Sequence, residues 1–119
     1  MGAAMNLEQT ALILIGYQND YFASDGILHS VVEESSRITN ILANTVHLLE
    51  CLTPTPALLI TTPIFFTPNH EELVDPIGIL KTIKEVGAFQ MGSPGSETIQ
   101  ELKPFEDRIL EVPGKRGLN

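Results

Sequence analysis

Blocks of apolar residues separated by polar turns predict a small α/β fold. Ala11 to Ile15, ALILI, run without a polar break and stop at Gly16, so residues 10–16 read as a first strand. An unbroken apolar run of this length suits a strand buried on both faces, as in a parallel sheet covered by helices. Residues 57–62, ALLITT, and 108–112, RILEV, read as a second and a third strand. Between the first two, Ile38, Ile41, Leu42, Val46, Leu49 and Leu52 form the stripe of a helix resting one face on a sheet. Ser35 or Ser36 can cap its start, and Pro54 stops it. Residues 76–86 suggest a shorter helix with Ile77, Leu80 and Ile83 inward, ended by Gly87. Residues 17–30 read as a loop with Asp25-Gly26 as its turn, and residues 1–9 as a loose polar lead-in. Pro63 and Pro68 make PIFFTPNHEEL a loop as well, with Phe65 and Phe66 read as core residues and, as the alternative, as lining a pocket at the strand end.

The polar cluster after the first strand is the first candidate for chemistry. Gln18, Asn19 and Asp20 follow Gly16 directly, flanked by Tyr17, Tyr21 and Phe22. Ligands of open parallel sheets bind at the carboxyl ends of strands. Two readings stand for the cluster: a wall of a binding site, or residues that only cap and turn the chain.

Composition narrows the classes. A chain of 119 residues holds one domain, and 7 basic against 15 acidic residues give a net charge of −8. That surface repels phosphates, so neither a nucleic acid nor an anionic membrane is an expected partner. No apolar run approaches a membrane span, and no signal peptide opens the chain. The single cysteine, Cys51, allows no internal disulfide, which fits a reducing, cytoplasmic setting.

Other candidates are weak. Cys51 lies near the end of the long helix, without a glycine-rich elbow or partner histidine that would mark a nucleophile. His70, Glu71 and Glu72 invite a metal-site reading, but His29 and His47 lie far off, and no two ligands are expected to share an i, i+4 spacing. Gly114-Lys115 lacks the earlier glycine, the Ser or Thr and the helix of a phosphate loop. Neither metal nor cofactor is therefore expected.

The stretch ALILIGYQNDYF with Asp25-Gly26-Ile27-Leu28 resembles the opening of the isochorismatase-like cysteine hydrolases, which include nicotinamidases. In that family the first strand ends in Asp, a variable residue and Gln-Asn-Asp-Phe. The loop Gly92-Ser-Pro-Gly-Ser-Glu97 and a short segment near Ile99–Leu102 resemble the family's approach to its third strand. The resemblance implies a parallel sheet with helices on both faces and a central first strand, the second and third strands lying to one side. It also implies hydrolysis of a small amide, imide or vinyl-ether substrate by an aspartate, a lysine and a cysteine, with no redox cofactor. Lys115 matches the lysine, whereas Gly16 occupies the aspartate position. The cysteine belongs to a turn after a fourth strand, and Cys51 is not in the matching place.

Several expectations follow from the resemblance. Residues 10–119 correspond to the N-terminal part of one such domain, without its C-terminal half. Tyr17, Gln18, Asp20 and Phe22 would form the first-strand wall of the pocket, with Asp20 the available substitute base. A small-molecule substrate would bind if the missing half completed the site. The alternative is a non-catalytic module that pairs, with a partner or with itself as a homo-oligomer, through the open edge of the first strand.

Overall fold

The computed structural model describes residues 5–113. The first strand, β1, is Ala11–Ile15. A four-residue helix, α1 (Asn19–Phe22), two longer helices, α2 (His29–Thr39) and α3 (Ile41–Leu52), and the strand β2 (Leu58–Thr62) follow. Helix α4 (Ile79–Val86), 3-10 segments over Pro94–Ser96 and Gln100–Arg108, and β3 (Ile109–Glu111) complete the described chain. The strands form one parallel sheet in the order β1-β2-β3. Leu12 stands beside Leu59 and Leu14 beside Thr61, while Leu59 meets Ile109 across the second ladder. Parallel pairing needs a crossover, and α2 with α3 supply the first one.

The sheet has one covered face. Leu14 and Leu59 on that face pack with Leu49 of α3 and with Ile99 and Leu102, and Leu12 and Ile109 border the cluster. The opposite face carries Ile13, Ile15, Leu58 and Leu110, which are 52%, 51%, 48% and 54% exposed. The prediction of a first strand buried on both faces is thus corrected. An unbroken apolar run requires two apolar faces, but it does not require the described residues to cover both. A second core lies around Phe66, Phe89, Leu28 and Ile83, with Tyr21 and Leu80 at its margin.

The helices also differ from the pattern-based reading. Helix α2 starts at His29, six residues before the predicted cap, so Ser35 and Ser36 fall inside it. It ends at Asn40, whose left-handed backbone (φ 50°) separates it from α3. Asn tolerates that conformation better than most residues. The Asn44 amide donates to the Thr39 carbonyl at 2.9 Å and satisfies one carbonyl at the break. Ile38, placed on the predicted stripe, is exposed. Ile77 was expected inward but is 83% exposed, because Gly78 (φ 60°) precedes the helix and α4 begins only at Ile79. Leu80 and Ile83 do turn inward, and Gly87 ends the helix in the left-handed region. The lead-in is partly ordered: Leu7–Gln9 form a 3-10 turn capped by the Asn6 side chain.

Candidate functional site

At the carboxyl end of β1 the chain turns at Gly16 (φ 78°), and residues 17–20 then bond to the loops that follow β2 and precede β3. A Cβ at Gly16 would meet only the Tyr21 ring, at 3.6 Å. The position therefore has space for a side chain, and the positive φ is its main obstacle. Gln18 pairs with Thr98 in an antiparallel bridge. The flanking bonds are Ile99 N–H to the Tyr17 carbonyl (3.1 Å) and Asn19 N–H to the Glu97 carbonyl (2.9 Å).

The side chains of this segment reach further than its backbone. The Gln18 carboxamide donates to the carbonyls of Ile64 (2.8 Å) and Ser96 (2.7 Å) and accepts from the Ile64 N–H (2.9 Å). It thereby joins the loop after β2 to the loop leading to β3. Asn19 donates to the Pro94 carbonyl at 2.9 Å, and Asp20 accepts from the Phe89 N–H at 2.7 Å. Gly95 lies so close that a Cβ there would sit 2.0 Å from an Asp20 carboxylate oxygen. Only glycine fits beside that buried carboxylate. Tyr17 stacks on Phe22, ring centroids 5.3 Å apart, and its hydroxyl meets that of Thr45 on α3 at 2.8 Å.

The four residues expected to wall a pocket are therefore gathered by one turn but face inward. Gln18 is 1% exposed and Asp20 8%; the Gln18 carboxamide and Asp20 Oδ2 hold backbone. Tyr17 and Phe22 pack against the core of the covered face. Two concavities lie nearby. A groove of about 620 Å³ is lined by Thr61, Phe65, Ser96, Lys103 and Glu111 among others, at the carboxyl ends of β2 and β3. A smaller one of about 290 Å³ involves Asn19, Asp20, Asp25 and Gly95. Of the expected four residues, only Asp20 lines either one. Of the groove residues, Phe65 is read from the sequence as core or, alternatively, as pocket lining, and Gly92, Ser96, Glu97 and Leu102 fall in segments that carry the family resemblance, but the sequence assigns none of them to a site; Phe66 is the core member of the Phe65–Phe66 pair. At the same end of the sheet, the Thr62 hydroxyl is buried without a hydrogen-bond partner, in register with Ile15.

The remaining candidates fall elsewhere. Lys115 lies outside the described residues. Cys51 is exposed on the last turn of α3, which leads through Pro54 into the start of β2. It therefore sits at the amino ends of the strands, and Gly16 at their carboxyl ends. A five-residue strand, roughly 17 Å long, separates the two ends. The expectation that no two ligands share an i, i+4 spacing, and that Cys51 has no histidine beside it, is corrected: His47 Nε2 stands 3.9 Å from Cys51 Sγ. His70 is buried with Nε2 at 2.6 Å from the Ala88 carbonyl, and the Glu72 carboxylate accepts from the Thr67 N–H and hydroxyl. Among the described residues, no three His, Cys, Asp or Glu side chains converge as a metal site, and no helix is long and apolar enough to cross a membrane.

Three parallel strands in one open sheet, with flanking helices and loops gathered over the carboxyl ends, define an α/β protein of the kind that binds ligands at that edge. A model of the isochorismatase domain family matches residues 10–118, and the chain belongs to that family. The membership brings a resemblance to hydrolases. No curated protein matches the chain.

Two consequences can be measured. Truncating Gln18 leaves three backbone groups of buried loops without partners, each worth about 1–3 kcal/mol. Gln18→Ala is expected to lower unfolding stability by about 3 kcal/mol or more in urea titrations; a loss below about 1 kcal/mol would contradict its role. The second concerns Tyr21, which packs edge-on against Phe89 at 4.9 Å. Burial raises its phenol above the usual tyrosine range. The unfolded chain thus loses this proton first, and stability is full below about pH 10 and falls as pH rises through the folded value. Tyr21→Phe is expected to flatten that alkaline decline, and an unchanged decline would show that other groups cause it.

Proposed function

We propose that this chain contributes the β1–β3 part of an isochorismatase-family hydrolase site for a small amide, imide or vinyl-ether substrate, and that residues 1–119 alone do not catalyse the reaction. The observation that carries this reading is the match over residues 10–118, read with the position of Gly16. The family reaction needs a thiolate nucleophile, a base for its proton and a cation near the reacting group. Gly16 offers no base where β1 ends. Cys51 is at the opposite end of the sheet and cannot reach a substrate held over the carboxyl ends. Asp20 has its Oδ2 engaged by the Phe89 amide and is a poorly placed replacement. Lys115 follows β3 by four positions and is the residue proposed to stabilise the reacting group.

The test is an assay of the purified 119-residue polypeptide against panels of small amides, imides and vinyl ethers. No turnover above that of Cys51→Ser is expected. Steady hydrolysis that Lys115→Ala sharply lowers would show that this polypeptide carries a working site, and would overturn the reading.

A second reading is supported by the sheet face that the described residues leave uncovered, where Ile13, Ile15, Leu58 and Leu110 lie beside a β1 edge unpaired among those residues. An apolar face next to free strand N–H and C=O groups favours association. In this reading the chain is an interaction module and makes homo-oligomers through β1. Sedimentation of the polypeptide is expected to show a defined dimer that Ile13→Lys dissociates; a monomer over the micromolar range would remove this reading.

A further inference from the structure

We propose that His47 and Cys51 form an open, two-donor site for a thiophilic d¹⁰ metal ion, with Zn²⁺ as the probe. The site lies at the amino ends of the strands and is independent of the hydrolase reading.

The helix brings the donors together. Residues four apart are neighbours on one helix face, and here Cys51 Sγ and His47 Nε2 are 3.9 Å apart on α3. Two ligands of one tetrahedral zinc, with Zn–S of about 2.3 Å and Zn–N of about 2.0 Å, stand roughly 3.5 Å from each other. A side-chain adjustment of a few tenths of an ångström closes that difference. Among the described residues neither side chain has another hydrogen-bond partner that a metal must displace. The thiol is exposed, so an ion reaches it without unfolding.

Electrostatics favour the same place. Cys51 sits in the last turn of α3, at the negative end of the helix dipole, where a cation is stabilised. The chain carries a net charge of −8, which favours a cation at its surface. On binding, the Cys51 S–H bond breaks and the Sγ–metal bond forms, with the proton passing to buffer. Neutral His47 gives its Nε2 lone pair. Two waters complete the tetrahedron, and no atom changes oxidation state.

The experiment is calorimetric titration of the reduced full chain with Zn²⁺, in two buffers of different ionisation heat, with melting curves alongside. One ion per chain, proton release and a raised Tm are expected. Cys51→Ser and His47→Ala should each weaken binding about tenfold or more and remove the rise in Tm. Both residues lie on the helix surface, so the metal-free variants should melt like the parent, and this control separates lost ligands from lost folding. Undiminished binding by His47→Ala would mean that the thiol acts alone. That result, one ion shared by two chains, or no saturable binding would each overturn the proposal.

Discussion

The loops at the carboxyl edge of the sheet depend on one buried carboxamide. Gln18 joins the backbone of Ile64, just past β2, to that of Ser96, ahead of β3. Its neighbours repeat the pattern: Asn19 holds Pro94, and Asp20 holds Phe89. Three consecutive polar side chains therefore fix four residues, Ile64, Phe89, Pro94 and Ser96, relative to β1. Buried backbone groups need such partners because water cannot reach them. The segment is consequently more than a turn, and its polar atoms do not face the larger groove. What it does for a ligand site is positional: the loops that form the groove stand where Gln18, Asn19 and Asp20 hold them.

That arrangement separates what the sequence makes legible from what it does not. The three strands and their parallel sense could be expected from the apolar runs Ala11–Ile15, Leu58–Thr62 and Ile109–Glu111 and from the helical stripe between the first two, whereas their order is implied only by the family resemblance. The helix boundaries could not. Asn40 takes a left-handed backbone that no periodicity announces, and Gly78 delays α4 past Ile77. The partners of Gln18 lie 46 and 78 positions away, so local pattern can mark the residue as polar but cannot say what it binds. Gly95 shows the same limit: its Gly-Ser loop is recognisable, but only the fold brings it against Asp20.

The chemistry of the proposed site follows from direction along the strands. In a parallel sheet every strand's carboxyl end lies on one edge, so Gly16, Thr62 and Glu111 are brought together there. A helix that returns the chain to the start of the next strand carries its last turn to the other edge. Cys51 is on such a turn, which is why the chain's single thiol has no part in a site at Gly16 yet is free to act with His47.

Amide hydrogen exchange of the native polypeptide tests the central claim most directly. If the Gln18–Asp20 segment holds the loops as one unit with the sheet, the amides of Asn19, Ile64, Phe89 and Ile99 should exchange as slowly as those of Leu59 and Ile60, through the same global opening. Exchange of Ile64 and Phe89 through local fluctuations, well ahead of the β2 amides, would contradict the account.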